Sequence, residues 1–357
     1  MKNLFHFILA LAVSACTYNN NVLEIYAQKN SATEFRGILD VIKSSDKNVN
    51  ILFVHGMRGY SYTNGVSDPC RVATDIRDGL NTTPLEVESS EKGELFCQGF
   101  LNYKDKKILI MPNYWGALTN LPKYDLAEYD NDPKITEYRT KITSLVKDNL
   151  INDGFADAVM YTGNLRQAII DNVSNSILLM QSKNPNSTTI IVTFSLGSKI
   201  VLDTIKQLQD KNSLGDLKNN VEMVYLMANQ IPLLNTGFME NGVDQNSDTR
   251  REQLIKEYEN FNLILKTDPP KVDSKNKIKV VAFTDPNDLL SYTLAPETMG
   301  SLKDNYVNVA ISIATKTTYV PLKREYGIVN YLTAHTGYVH NNKVRNLLMN
   351  GTVEGRD

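Results

Sequence analysis

Six short runs of β-branched and other apolar residues recur along the chain and constrain its fold more than any other feature. They occupy residues 51–54, 107–111, 189–193, 222–227, 279–283 and 307–311. Near-continuous apolar runs of this length are typical of parallel strands that are buried on both faces. Amphipathic helical patterns lie between or after them, at residues 136–150, 165–180, 198–208 and 344–349. This alternation predicts an α/β fold with a doubly wound, mostly parallel sheet.

The organisation of the chain indicates one domain. No internal repeat or low-complexity linker interrupts the sequence, so we expect a single domain over residues 16–357. Residues 236–277 form an insertion between the fourth and fifth predicted strands, rich in Asn, Asp, Lys and Pro. Long insertions of this kind often act as lids or binding loops. A solvated surface insertion has the same composition, so both alternatives stay open.

The amino terminus has the organisation of a signal peptide over residues 1–15. Residues 4–13 are largely apolar, and residues 13–16 (Val-Ser-Ala-Cys) resemble a bacterial lipobox, in which small residues precede an acylated cysteine. The resemblance implies that Cys16 becomes the first mature residue and carries acyl chains that anchor the protein in a membrane of the cell envelope. In such lipoproteins an Asp directly after the acylated cysteine is a signal for retention in the inner membrane. This chain has Thr17 at that position, and the absence of Asp favours the outer membrane. The alternative is an ordinary cleaved signal that leaves Cys16 as a plain thiol.

Two further cysteines are present, Cys70 and Cys97. Export implies an oxidising compartment, in which paired thiols persist as disulfides. We therefore expect a bridge between Cys70 and Cys97, worth about 3 kcal/mol in the chain-entropy model. The alternative is two separate buried thiols.

Charge and motif content exclude several functional classes. The formal net charge of −2 offers no basic excess for a nucleic acid backbone. No HExxH or paired CxxC motif is present, and neither a P-loop nor GxGxxG follows a strand. We therefore expect no metal and no cofactor. After the amino terminus, no apolar run reaches the length of about 18 residues that predicts a transmembrane helix.

The third predicted strand runs directly into residues 193–198 (Thr-Phe-Ser-Leu-Gly-Ser), and a helical pattern follows. A serine on a sharp strand-to-helix turn is a nucleophile elbow, which exposes the hydroxyl above the sheet. At Ser195 the chain resembles the α/β-hydrolase family. It departs from the family motif at Thr193, where the family has Gly. The alternative is a serine that only caps the following helix.

The resemblance extends over about residues 50–351 and implies an oxyanion hole. The first predicted strand ends in His55-Gly56-Met57, where the family has a His-Gly pair. Carried over to this chain, the backbone N–H groups of Met57 and Leu196 bind the oxyanion. The side chain of His55 has a structural role in the family and supports this loop.

The family has its acid and its base after the nucleophile in sequence. Asp285 and Asp288 both follow the fifth predicted strand, and Asp288 is favoured because a proline turn precedes it and two leucines follow it. Asp285 remains the alternative. Two histidines follow the last strand, and His335, in a loop of small residues, is expected to be the base. His340 precedes two asparagines that suit helix caps, so a surface or capping role fits it better.

The order Ser195, Asp288, His335 implies acyl transfer in two steps. By resemblance, the chain is expected to be a membrane-anchored serine hydrolase of the esterase or lipase type. Its partners would be membrane lipid, through acylated Cys16, and a small acyl ester as substrate. Two alternatives remain. One is a non-catalytic surface lipoprotein that uses the hydrolase fold for binding, for which Thr193 is the best argument. The other is an acyltransferase, because the same site can perform that reaction.

Overall fold

An eight-stranded sheet is the framework of the computed structural model. The structure describes residues 22–26, 33–57, 62–63, 66–83, 88–89, 95–130, 136–237, 247–267, 277–313 and 331–352. Across the sheet the strands are β1 (Val22–Tyr26), β12 (Tyr306–Ile311), β11 (Val280–Thr284), β10 (Val221–Met227), β9 (Thr188–Phe194), β2 (Val49–Val54), β8 (Lys106–Asn113) and β7 (Gly99–Tyr103). The six central strands are parallel, and β1 and β7 pair antiparallel at the edges. A smaller sheet contains β3 (Tyr62–Thr63), β4 (Val66–Ser67), β6 (Leu95–Phe96) and β5 (Glu88–Ser89).

The six apolar runs of the sequence are the six parallel strands. Strands β2, β10 and β11 are buried along their whole length, as expected for strands covered on both faces. The predicted α/β fold with a mostly parallel sheet is therefore confirmed. The two edge strands were not predicted. Strand β7 is only partly buried, and an edge strand has a weaker apolar pattern because one side has no neighbouring strand.

The order of the strands creates a switch point between β2 and β9. From β2 the chain crosses to β8 on one side, and it then returns to β9 on the other side of β2. In open α/β sheets such a reversal leaves a crevice outside the carboxyl ends of the two strands, where ligands bind. The segments that begin at His55 and Ser195 follow these two strand ends, so the topology directs both of them to this crevice.

Helices cover both faces of the sheet. They are α1 (Ile38–Ser44), α2 (Asp68–Leu80), α3 (Asn120–Asp130), α4 (Lys141–Val146), α5 (Ala156–Thr162), α6 (Arg166–Lys183), α7 (Gly197–Asp210), α8 (Ile231–Asn235), α9 (Ser247–Glu259), α10 (Tyr331–Thr336) and α11 (Asn342–Asn350). Apolar residues of α1, α2 and α11 form one core with the sheet, and those of α6 and α7 form the other. None of the described helices is both long and apolar enough to cross a membrane.

The helix predicted at residues 136–150 is divided in the structure. Helix α4 begins after Thr140, whose side chain accepts from the N–H of Thr143 and so caps the first turn. A π-helical stretch at Lys147–Phe155 continues it. The other three predicted helices correspond to α6, α7 and α11.

The described part of the insertion at residues 236–277 is a crossover connection. Helix α9 lies between β10 and β11 in sequence, and Tyr258 and Phe261 are buried in the same core as α7. The segment then reaches Leu265, which bridges to Val221 at the start of β10. Residues 238–246 and 268–276 of the insertion lie outside the described residues, so its assignment as a lid or a surface insertion stays a prediction.

The predicted disulfide between Cys70 and Cys97 is present and joins two elements of the fold. Cys70 lies in the first turn of α2, and Cys97 lies just before β7. Both residues are buried. The bridge therefore ties α2 to the edge of the sheet next to β8.

Loss of this disulfide should destabilise the fold measurably. The bridge joins residues 27 positions apart, and a closed loop of this size contributes about 3 kcal/mol by restricting the unfolded chain. We expect the Cys70→Ala/Cys97→Ala variant to unfold at a lower guanidinium concentration than the wild type. Reducing agent is the control, because it should lower the wild-type midpoint and leave that of the variant unchanged. Equal midpoints for the oxidised wild type and the variant would contradict the prediction.

Candidate active site

Ser195 lies at the turn between β9 and α7 in the strained conformation of a nucleophile elbow. Its φ is 53°, a left-handed conformation that costs about 1 kcal/mol or more for a residue with a side chain. The Ser195 N–H donates to the carbonyl oxygen of Met227 at 2.8 Å. Ser198 Oγ donates to the Ser195 carbonyl oxygen at 2.7 Å. Neighbouring groups on both sides therefore hold the turn in this conformation.

Two glycines allow the end of β2 to approach this turn closely. A Cβ on Gly56 would overlap the Cβ of Ser195, and a Cβ on Gly197 would lie 2.5 Å from the carbonyl oxygen of Val54. A side chain at either position would separate β2 from the elbow. The missing side chains are therefore what allow the loop after β2 to lie against Ser195.

Thr193 occupies the position where the family has Gly, and the sheet accommodates it. The residue lies inside β9, paired with Val54 of β2 and Leu226 of β10. Its side chain is fully buried, and Oγ1 donates to the carbonyl oxygen of Tyr225 at 3.4 Å. The elbow therefore forms with threonine in place of glycine, since this side chain has space and a hydrogen-bond partner.

His335 contacts Ser195 from the carboxyl-terminal part of the chain. It lies in the short helix α10, whereas the sequence predicted a loop. Its Nε2 is 2.8 Å from Ser195 Oγ, and its Nδ1 is 2.8 and 2.9 Å from the two carboxylate oxygens of Asp288. An ionised carboxylate only accepts hydrogen bonds, so Nδ1–H donates to it. Nε2 is then left to accept the proton of the Ser195 hydroxyl.

The structure distinguishes the two carboxylates of the turn after β11. Asp288 contacts His335, whereas Asp285 accepts from the N–H of Asn287 at 2.8 Å and the N–H of Ile313 at 2.7 Å. Burial raises the pKa of Asp285 above its ordinary value. Asp285 therefore closes the turn and ties it to the segment after β12, while Asp288 is the carboxylate beside the histidine.

His340, the other candidate base, faces a different group. Its Nε2 is 3.4 Å from a carboxylate oxygen of Asp68 at the start of α2, and burial lowers the pKa of its imidazole. Asn341 is the residue that caps α11, since its side chain accepts from two N–H groups of the first turn. The structure therefore brings His335, and not His340, to Ser195.

Tyr338 is a component of the site that no specific sequence signal indicated. Its hydroxyl accepts from the N–H of Asp285 at 2.8 Å and donates to Asp288 at 3.1 Å. Complete burial raises the pKa of Tyr338 well above its ordinary value, so the hydroxyl keeps its proton and remains a donor. Tyr338 therefore holds Asp288 in position through a second hydrogen bond beside that of His335. Only its position three residues after His335 could have suggested this role.

Two backbone donors lie beside Ser195. Met57 follows Gly56 in the loop after β2 and, with Ser195 and His335, lines a small cavity. Leu196 begins the turn into α7. In the part of the chain that the structure describes, the N–H groups of Met57 and Leu196 make no hydrogen bond. The two donors are thus available where the sequence predicted an oxyanion hole.

His55 supports the loop that contains Met57, as expected for a structural residue. Its Nδ1 lies 2.7 Å from the Gly56 carbonyl oxygen, and the Gly116 N–H donates to its Nε2 at 3.1 Å. A carbonyl only accepts, so Nδ1 carries the proton and the ring is neutral. The indole of Trp115 stacks on this ring with centroids 4.6 Å apart and donates to the His55 carbonyl oxygen at 2.9 Å.

Acidification should weaken the fold through His55. Burial lowers the pKa of His55 from 6.5 to about 4. The unfolded chain therefore binds a proton at this residue before the folded chain does, and stability is lost as the pH falls from about 6.5 towards 4. This difference corresponds to about 3 kcal/mol. We expect the free energy of unfolding of the wild type to fall by about this amount relative to His55→Asn between pH 7 and 4.

The control is the His340→Asn variant, because burial lowers the pKa of the partly exposed His340 less than that of His55. Its free energy of unfolding should follow that of the wild type more closely over the same pH range. Identical pH profiles for wild type and His55→Asn, measured by urea titration, would show that His55 is not held neutral.

The strand order, the elbow at a switch point and the Ser195–His335–Asp288 constellation together define an α/β-hydrolase fold. Cys16, the predicted lipidation site, lies outside the described residues.

Solved structures resemble this chain only distantly. They include the peroxisomal alpha-beta-hydrolase Lpx1 from Saccharomyces cerevisiae, with 9% identity, TM-score 0.30, and coverage of 87% of this chain and 80% of that one. RedJ with a PEG molecule bound in the active site has 8% identity and TM-score 0.25, over 74% and 78% of the two chains. The iron-lacking apo form of ESTFA has 11% identity and TM-score 0.24, over 87% and 81%. No family model and no curated protein matches the chain. The fold assignment therefore rests on this chain's own strand order.

Proposed function

We propose that the chain is a membrane-anchored serine hydrolase that cleaves a carboxylic ester with an acyl or lipid group through an acyl-enzyme. The observation that carries the proposal is the alignment of Ser195, His335 and Asp288, joined by two hydrogen bonds of 2.8 Å. A serine that only caps a helix needs no base at its hydroxyl and no carboxylate behind that base. Activation of the hydroxyl as a nucleophile requires both.

The first step of the reaction forms an acyl-enzyme. His335 Nε2 accepts the hydroxyl proton while Ser195 Oγ attacks the carbonyl carbon of the ester, and the carbonyl electrons move to the oxygen. The backbone N–H groups of Met57 and Leu196 donate to this oxyanion, and each such donor typically lowers the barrier by about 3 kcal/mol. The imidazolium then gives its proton to the oxygen of the leaving alcohol as the ester bond breaks.

The second step releases the acid. A water molecule loses a proton to His335 Nε2 and attacks the acyl carbon, and Ser195 Oγ leaves with that proton. Asp288 remains ionised throughout, keeps Nδ1 protonated and stabilises the imidazolium. The hydrogen bond from Tyr338 holds this carboxylate in its orientation.

Membrane anchoring is supported by the amino-terminal sequence. The small residues before Cys16 resemble a lipobox, and acyl chains on this cysteine would hold the enzyme at a membrane of the bacterial envelope, the outer membrane being favoured. The substrate in this proposal is an acyl or lipid ester, because such esters are concentrated at the surface where the enzyme is held.

Replacement of Ser195 tests the nucleophile. We expect Ser195→Ala to lose labelling by a fluorophosphonate probe and to lower the hydrolysis of short p-nitrophenyl esters by at least about 10⁴-fold. Ser213→Ala is the matched control, because Ser213 lies beyond α7 and its hydroxyl donates to the nearby Lys211 carbonyl oxygen. Absence of labelling in folded wild-type protein would support the binding lipoprotein instead.

The two aspartates allow a test of the acid. Asp288→Asn should lower kcat on the same ester by about 10³- to 10⁴-fold, because the amide no longer holds the productive tautomer of His335. Asp285→Asn should lower kcat by less than about tenfold, since an amide oxygen still accepts a backbone N–H in the turn. Circular dichroism checks that both variants fold. The reverse order of effects would assign the acid to Asp285.

A further inference from the structure

The chain enters the described sheet at the same edge that carries the active site. We call this edge, formed by the carboxyl ends of the six parallel strands, the carboxyl edge. Strand β1 is antiparallel to β12, so Val22 pairs with Ile311 and Tyr26 pairs with Asn308. Ile311 is the last residue of β12. Val22 therefore lies at the carboxyl edge, as does the turn of Ser195 after β9.

The predicted lipid anchor is only a short distance from this edge along the chain. Cys16 precedes Val22 by six residues. An extended chain spans at most about 3.5 Å per residue, so the acylated cysteine lies within about 20 Å of Val22. A tether this short favours an orientation in which the carboxyl edge faces the bilayer.

A group of helices is inserted at the same edge. Residues 114–130 and 136–165, which we call the edge segment, lie between β8 and α6 and contain α3, α4 and α5. β8 ends at Asn113, whose side chain donates to that of Asn172 in α6 at 2.8 Å. The edge segment therefore begins where β8 ends, at the carboxyl edge, and α6 then returns the chain to the start of β9. Within the segment, Lys123 pairs with Asp157 at 3.2 Å and so joins α3 to α5.

The exposed apolar side chains of the described residues are concentrated in the edge segment. It contributes nine of the 14 large apolar side chains that are exposed in this part of the protein. Four of the nine lie on α3, where Leu121, Tyr124, Leu126 and Tyr129 are 71%, 61%, 38% and 84% exposed. Soluble monomers rarely concentrate so many exposed apolar side chains in one segment, and such segments usually contact a partner or a membrane.

Three other exposed apolar residues also lie at the carboxyl edge. Leu23 lies at the start of β1, and Leu289 and Tyr292 follow Asp288 after β11, so all three belong to the carboxyl edge. The remaining two of the 14, Leu178 and Leu179, lie in α6. Most of the exposed large apolar side chains therefore lie in segments that start or end at the edge of the sheet where the active site and the tether are found.

The edge segment is negatively charged, so its contact with lipid would be made through apolar groups and not through attraction to anionic headgroups. Its sequence has four Lys and Arg against seven Asp and Glu, a net charge of −3. Such a surface gains nothing from anionic headgroups or an acidic partner. Its tyrosines suit the boundary between headgroups and acyl chains.

We propose that the carboxyl edge, through the edge segment, docks on the surface of a lipid bilayer and presents Ser195 to acyl esters held in that bilayer. This inference rests on the proposed function and on acylation of Cys16. The docking depends on apolar contact, so bilayers of zwitterionic phosphatidylcholine are sufficient.

Fluorescence quenching tests the orientation without relying on catalysis. The full chain is labelled with an environment-sensitive dye at Leu121→Cys or, as the control, at Asp46→Cys, which lies before β2 at the opposite edge. Each is bound to phosphatidylcholine vesicles with brominated acyl chains. We expect quenching at position 121 to exceed that at position 46 several-fold. Equal quenching at both positions, or failure of the chain to bind vesicles, would overturn the proposal. So would a blue-shifted emission at 121 without quenching, which indicates a protein contact.

Paired variants connect the orientation to activity. Leu121→Ser/Tyr124→Ser should lower turnover of a long-chain ester embedded in phosphatidylcholine vesicles by about tenfold and leave turnover of a water-soluble short ester unchanged. Leu178→Ser/Leu179→Ser is the control, with 42% and 45% exposed leucines on α6, and should change neither rate. Unchanged turnover of the embedded ester in the first variant would overturn the docking. Absence of short-ester turnover in the wild type would instead contradict the proposed function, and the quenching result would still decide the orientation.

Discussion

The close approach of the end of β2 to the turn after β9 is the contact on which the rest of the site depends. Gly56 and Gly197 permit it, because a Cβ on either would collide with the opposite strand end. The approach puts the loop with Met57 against Ser195, and the left-handed backbone of Ser195 directs its hydroxyl out of the sheet. Both features occur at the switch point of the sheet, where the parallel strands leave a crevice that the helices do not fill.

Buried polar side chains then hold the two halves of the site in position. His55 is neutral and links the Gly56 carbonyl to the Gly116 N–H, so the loop after β2 is fixed from behind. Tyr338 keeps its proton through burial and fixes the turn after β11, since its hydroxyl accepts from the Asp285 N–H and donates to Asp288. Lys199, on the helix behind Ser195, is also buried, and it pairs with Asp203 at 2.6 Å. Each group is satisfied by hydrogen bonds or charge, which makes burial tolerable and the geometry rigid.

Much of this arrangement was predictable because its signals are local. The six parallel strands are covered on both faces, so each appears as an apolar run, and the residues at the strand ends could be recognised one after another. The edge strands β1 and β7 have weaker patterns, and their pairing depends on a neighbour distant in sequence. The roles of Tyr338 and Trp115 were not predictable either. A buried tyrosine or tryptophan has no distinctive neighbours along the chain, and its partner is determined only by folding.

By itself, the sequence determined the set of parallel strands and the order of serine, acid and base along the chain. These properties follow from apolar periodicity and from residues adjacent to strand ends. The tertiary structure decided between Asp285 and Asp288, which lie on one turn and share nearly the same local sequence. It made the choice through Ile313, Tyr338 and His335, whose backbone or side chains reach this turn from 28 to 50 residues away. It likewise decided that most of the exposed apolar residues lie in the segment that begins at the edge carrying the active site, because exposure depends on packing between distant segments.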